Sequence, residues 1–247
     1  FENPDGLRLA ARLDLPEGDR AAAFALFAHC FTCGKDVKAA FYISRALNRA
    51  GVGVLRFDFT GLGESQGDFA ATNFSSNVAD LVAASRFMTE RGMAPTILIG
   101  HSLGGAAVIL AAAAIESVRA VAVIGAPAEP AHVRRHFEDR QGVIETQGQA
   151  EVQLGERRVR ITRQFLEDID RVNMESALRQ LGRALLILHA PADEVVGIDN
   201  AARIFRAARH PKSFIALDGA DHLLADSVDA RYAGRLIAAW AGRYVAV

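Results

Sequence analysis

Cysteine is scarce in this chain of 247 residues, which carries only Cys30 and Cys33. They are too close in sequence to staple distant segments together, so no disulfide framework organises the fold. An excess of charge is missing as well. The formal net charge is −1 and the pI about 6.7. That balance leaves no electrostatic footprint for nucleic acid and no basic stretch for a membrane surface. Acidic residues are dispersed and form no tail. No run reaches the ~18 continuous apolar residues of a membrane span. The longest runs, 21–28 and 106–115, read as a buried strand and a buried helix. The opening Phe1-Glu2-Asn3-Pro4-Asp5-Gly6 lacks the charged and apolar regions of a signal peptide, and an initiator Met is missing. A trimmed, processed or incompletely represented chain is therefore expected, with a cytoplasmic location.

What is present is core-forming material: 51% of residues are hydrophobic and 23% charged, a composition that argues against disorder. Short β-rich runs alternate with longer helical patterns, which predicts an α/β fold with a mostly parallel sheet and helices on both faces. Strands are expected at 22–28, 52–57, 96–99, 119–124, 185–189 and 213–217, with an antiparallel edge strand at 7–15. Helices are expected at about 37–50, 77–91, 106–115 and 230–241. Between Pro127 and Gly182 the rhythm fails. That charged stretch holds a hairpin pattern, 150–154 and 157–162, turning at Gly155-Glu156. It is expected to be a cap inserted at about 127–183 in a single domain spanning 1–247, because strand–helix alternation resumes after it.

Gly100-His101-Ser102-Leu103-Gly104 matches Gly-x-Ser-x-Gly between an apolar strand and a helix. The glycines let a serine sit on a sharp turn with its hydroxyl above the sheet, and the following helix adds a partial positive field there. Serine needs a base, and the base an orienting acid. In this topology the expected chain order is Ser, acid, His, with the later two in loops after strand ends. Of the seven histidines, His29, His101, His132 and His136 precede any suitable acid, His189 ends a strand, and His210 precedes one. His222 alone follows a late strand and is the expected base. Asp193, first after the turn at Pro191, is the expected acid, with Glu194 and Asp199 as competitors. Asp218 and Asp221 lie nearer His222 in sequence but leave the Asp193 loop without a role. Oxyanion donors are expected at the backbone N–H groups of Leu103, the residue after the nucleophile, and of Phe31, in the loop after the first core strand.

These segments resemble a known family. His29-Cys30-Phe31-Thr32, Arg56-Phe57-Asp58-Phe59-Thr60-Gly61-Leu62-Gly63-Glu64-Ser65 and Gly100-His101-Ser102-Leu103-Gly104-Gly105 look like the α/β-hydrolase fold esterases that include feruloyl and cinnamoyl esterases. Asn73–Leu81, His210-Pro211-Lys212-Ser213-Phe214 and Asp218-Gly219-Ala220-Asp221-His222 are more similar still to the hydrolase half of bacterial proteins in which such a domain precedes an OsmC-like peroxide-reductase domain. The resemblance implies carboxylesterase activity on small acyl or aromatic esters. It puts Ser102, Asp193 and His222 in the triad positions and Phe31 and Leu103 at the oxyanion, with no cofactor and no metal. It also implies an OsmC-like domain in the parent chain, although nothing OsmC-like follows Val247. Cys30 stands where many of the wider esterase group carry glycine.

Other readings compete. A thioesterase or peptidase would use the same residues, and a binding or regulatory module that does no catalysis is the alternative from another class. An intact Ser, acid and His in the right order counts against the second. Cys30-Phe31-Thr32-Cys33 is formally a Cys-x-x-Cys, but on an oxyanion loop it reads as two small residues packed beneath it, whose oxidation would distort Phe31. A zinc site from these thiols and His29 lacks a fourth ligand. Gly61-Leu62-Gly63-Glu64-Ser65-Gln66-Gly67 has the wrong spacing for a dinucleotide fingerprint and reads as a loop at the site's rim. Arg157, Arg158, Arg160 and Arg163 could meet an acidic substrate group, though a solvated hairpin face is the default. Acyl chain length, alcohol preference and oligomeric state are not legible.

Overall fold

The computed structural model describes residues 1–18, 20–154 and 157–246. Its strands are β1 (Ala11–Asp14), β2 (Ala23–Ala28), β3 (Val52–Phe57), β4 (Ile97–His101), β5 (Ala120–Ile124), β6 (Gln149–Leu154), β7 (Arg157–Thr162), β8 (Ala184–His189) and β9 (Lys212–Ala216). Seven of them form one sheet in the order β1-β3-β2-β4-β5-β8-β9, while β6 and β7 pair separately as an antiparallel hairpin. Only β1 runs antiparallel within the large sheet. The helices are α1 (Lys38–Arg49), α2 (Phe74–Thr89), α3 (Leu103–Ala111), α4 (Gln141–Gln147), α5 (Arg163–Arg171), α6 (Met174–Gln180), α7 (Asp199–Ala207) and α8 (Ser227–Ala241).

Every residue of β3, β4, β5 and β8 is buried, as parallel strands covered on both faces must be. The period of two sorts their side chains into two cores. Leu98, Val121 and Val123 face α2 and α3, beside Leu81, Met88 and Val108. Ile97, Ile99, Ala122 and Ile124 face the opposite way, toward Ile43 and Leu47 of α1 and Ala233 and Ile237 of α8. Truncating a central side chain such as Leu98 to Ala would cost about 2–5 kcal/mol, the lost transfer energy plus a cavity.

The elements start and stop where local bonds redirect the backbone. The edge strand expected over 7–15 shortens to Ala11–Asp14 because Arg8 N–H donates to the Gln66 side chain (2.9 Å) and Ala10 N–H to Ser65 Oγ (2.9 Å) instead of to a ladder partner. Helix α2 begins three residues before the expected 77, since Asn73 and Ser76 form a reciprocal capping box. Helix α3 begins at Leu103 rather than 106, directly out of the serine turn.

The stretch between β5 and β8 holds a 3-10 run over Pro130–Arg140, kinked at Phe137, then α4, the β6–β7 hairpin, α5 and α6. Its apolar side chains Phe137, Ile144, Val152, Ile161 and Phe165 join the same core as α2 and α3. Both expected hairpin strands are present, while the turn at Gly155-Glu156 lies outside the described residues. Among the described residues no helix is long and apolar enough to cross a membrane.

Candidate active site

Ser102 leaves the end of β4 with φ 53° and ψ −125°, a conformation rare for a residue with a side chain. It is held by Ser102 N–H donating to Ile124 O (2.8 Å) and Gly105 N–H donating to Ser102 O (2.8 Å). The flanking glycines are required by contact. A Cβ on Gly100 would lie 2.3 Å from Gly104 O, and one on Gly104 would lie 2.4 Å from His29 O. The second contact also presses the start of α3 against the loop that follows β2.

The structure brings Ser102, His222 and Asp193 into one hydrogen-bonded chain. Ser102 Oγ donates to His222 Nε2 at 3.1 Å, and His222 Nδ1–H donates to Asp193 Oδ2 at 2.7 Å. The other Asp193 oxygen accepts Val195 N–H (2.9 Å) and Val196 N–H (2.8 Å). Burial pushes the Asp193 carboxyl up, but the His222 bond and these two amides outweigh it and hold the group below the usual carboxylate range. It therefore stays ionised beside the imidazole. The competing carboxylates are elsewhere. Glu194, Asp199 and Asp218 are exposed, and Asp221, also exposed, accepts Ala225 N–H. Gly125, which the sequence reading did not single out, presents bare backbone to the pair. A Cβ there would come within 3.2 Å of His222 Nδ1, at a φ of +54° that favours glycine.

The loop after β2 carries Phe31. Neither Phe31 N–H nor Leu103 N–H has an acceptor in the backbone bonds of the described turns, and Leu103 opens α3, where no preceding turn supplies one. Both residues line one narrow cavity with Leu62, Phe69, Phe74 and Ala107, about 10 Å³ in volume, room for one water-sized group. The Phe31 ring leans on Phe69 and Phe165, with centroids 5.7 Å and 5.6 Å away.

Cys30 and Cys33 are joined in a disulfide with Cα atoms 5.3 Å apart, which corrects the expectation of two small packed residues. The turn between them, with Thr32 at φ 57°, brings the two side chains together. The far end of this loop is anchored by Asp58. Its carboxylate accepts Lys35 N–H (2.6 Å) and Glu64 N–H (3.0 Å) and pairs with Lys35 Nζ (2.8 Å). Burial opposes the charge on Lys35, but Asp58 and Glu64 hold its pKa above the ordinary lysine value. The glycine-rich stretch around Gly61–Gly67 thus braces the Phe31 loop from behind, with Leu62 in the cavity.

Arg157, Arg158, Arg160 and Arg163 are exposed, and Arg158 reaches Glu151 only at 3.9 Å, a geometry worth little in water. A larger cleft of about 880 Å³, lined by His136, Arg140, Val152, Arg158 and Arg160 among others, holds none of Ser102, Asp193 or His222. Among the described residues no cluster of His, Cys, Asp and Glu suits a metal ion.

The model of the alpha/beta hydrolase family matches residues 25–235, and the chain belongs to that family. The esterase domain of a Rhodothermus marinus protein is 54% identical, covering 99% of this chain and 96% of that one with a TM-score of 0.82. Est1E of Butyrivibrio proteoclasticus, solved with ferulic acid, shares the fold at 19% identity over 94% of this chain and 95% of that chain, TM-score 0.78. Mouse alpha/beta hydrolase domain-containing protein 10 does so at 20% identity over 98% and 97%, TM-score 0.81. No curated protein sequence matches. Family and esterase relative together support a hydrolase.

Proposed function

We propose that the protein is a serine carboxylesterase acting on small acyl or aromatic esters through an acyl-enzyme. The observation that carries the reading is the continuous relay from Ser102 Oγ through His222 to Asp193, at 3.1 and 2.7 Å. His222 Nε2 takes the Ser102 proton as Oγ bonds to the substrate carbonyl carbon. Asp193, kept ionised, holds Nδ1–H and steadies the imidazolium. The oxyanion is met by Phe31 and Leu103 N–H, preorganised by the disulfide-closed loop and by the start of α3. The tetrahedral intermediate expels the alcohol, which leaves with the proton from His222. Water, deprotonated by the same ring, then attacks the acyl-enzyme and releases the acid and Ser102.

The esterase domain at 54% identity supports ester chemistry. The cavity beside both proposed donors is walled by Leu62, Phe69 and Phe74, and the Phe31, Phe69 and Phe165 rings offer an apolar surface for the acyl group. Because Phe165 comes from the stretch between β5 and β8, that stretch acts as a cap.

The test is turnover of aryl esters from acetate to palmitate, and of methyl ferulate, by wild type and Ser102→Ala. Short or aromatic esters should be cleaved, and the variant should lose several orders of magnitude in kcat. Equal activity in both proteins would remove Ser102 from the mechanism. Activity on acyl thioesters alone would move the assignment to a thioesterase.

A further inference from the structure

Three histidines take no part in the proposed chemistry, yet all stand at the same level of the fold. His29 directly follows β2, His101 ends β4 and His189 ends β8, each at the C-terminal edge of a central parallel strand. They are 1%, 1% and 0% exposed. Each aims one ring nitrogen at a backbone carbonyl: His29 Nδ1 at Cys30 O (2.8 Å), His101 Nε2 at His222 O (2.7 Å) and His189 Nε2 at Val196 O (2.7 Å). Those carbonyls belong to the three loops that carry the proposed oxyanion donor Phe31, the base His222 and the acid Asp193.

A carbonyl only accepts, so each nitrogen facing one carries the hydrogen. His29 is then the Nδ1–H tautomer, and Phe59 N–H lies 3.5 Å from its free Nε2. His101 and His189 are the Nε2–H tautomers, each with a buried Nδ1 that has no partner among the described residues. Such unsatisfied atoms are uncommon in a core. Here they accompany rings whose opposite edge holds a loop carbonyl, 121 residues away in sequence for His101 and seven for His189.

We propose that His29, His101 and His189 are positioning residues, one for each loop of the site, tying the oxyanion, base and acid loops to the rigid edge of the sheet. This rests on the serine-hydrolase reading above. His101 makes the most direct tie. It neighbours Ser102 in the chain and holds the backbone of His222, so a single ring sets the height of the base above the nucleophile. A displacement of about 1 Å between reacting groups costs on the order of a hundredfold in rate, so loops without hydrogen-bonded anchors would squander the alignment.

The two ring nitrogens used give an unusual test. A glutamine amide reaches about as far as Nε2, and an asparagine amide about as far as Nδ1. The proposal expects His101→Gln and His189→Gln to keep kcat within about threefold of wild type, while His101→Asn and His189→Asn lose about tenfold or more with KM little changed. At position 29 the order reverses, with His29→Asn retaining kcat and His29→Gln losing it. In a His222→Ala background the difference between the two His101 variants should vanish, because His101 acts only through His222. Nitrogen-15 NMR of the wild-type imidazoles supplies a readout that requires no folded variant, expecting Nδ1–H at His29 and Nε2–H at His101 and His189. Gln and Asn variants that behave alike at each position, or the opposite tautomers, would overturn the proposal. Ser102→Ala separates the two readings. If it stays active the hydrolase assignment fails, and if it is dead without the Gln/Asn pattern only the positioning role fails.

Discussion

Lowering the pH from 7 to 5 should destabilise the folded protein through its buried rings, and His101 isolates one share of that loss. Burial, reinforced by the nearby His222, lowers the His101 pKa from 6.5 to about 4, with the carbonyl bond to His222 O and the charge of Asp193 opposing the shift. His29 is likewise lowered to about 4, by burial first, with Arg157 and Lys35 adding and Cys30 O and Asp58 opposing. A histidine whose folded pKa lies below its unfolded value contributes fully above about pH 6.5, and that contribution is lost as the pH falls toward 4. Between pH 7 and 5 the unfolded chain gains nearly one proton per ring that the folded chain refuses, about 2 kcal/mol for each of the two. Replacing His101 with Gln removes one such ring. The stability gap between wild type and His101→Gln, measured by urea unfolding at pH 7, 6 and 5, should therefore shift by about 2 kcal/mol in favour of the variant. His136 and His189, also lowered by burial, are common to both proteins and largely cancel in the difference. The carboxyls of Asp58 and Asp193, held below their ordinary value, release their contribution only at more acid pH. Unfolding free energies that run parallel across this range would refute the burial argument for His101.

Asp193→Asn should lower kcat by about ten-thousand-fold, whereas Glu194→Gln and Asp199→Asn, at exposed positions, should stay within about twofold of wild type in the same ester assay. Reducing the Cys30–Cys33 bond with a dithiol frees the turn that carries Phe31, and kcat on an aryl acetate should fall about tenfold. An unchanged kcat once thiol titration counts both sulfurs as free would rule out a role for the bond in shaping the loop. Phe69→Ala enlarges the cavity beside Phe31, so the ratio of hexanoate to acetate turnover should rise by about tenfold or more. A flat ratio would place the acyl group elsewhere.

The sheet was legible because central parallel strands, covered on both faces, read as near-continuous apolar runs such as 120–124 and 185–188. Ser102, Asp193 and His222 were legible because topology fixes their order along the chain, and the structure brings all three together. The disulfide was not, since the spacing of Cys30 and Cys33 also suits two packed side chains and only the turn at Thr32 decides. Nor was Gly125, whose close approach to His222 and Asp193 exists only once three loops converge. The three positioning histidines were set aside by the same chain-order logic that found His222. That logic identifies a base and is blind to a ring whose partner is a backbone carbonyl. The stretch between β5 and β8 was read least well, because its 3-10 run bends at Phe137 and keeps no single period.

The backbone at Ser102, φ 53° with a side chain attached, bears on how such a protein responds to selection. A glycine would occupy that corner without strain, relieving on the order of 1–3 kcal/mol. On the proposed serine-hydrolase reading, any screen that rewards heat tolerance alone would thus drive this position toward the one substitution that removes the proposed nucleophile. The most thermostable descendants of this chain would then be inert, and activity would persist only while it is selected in every round.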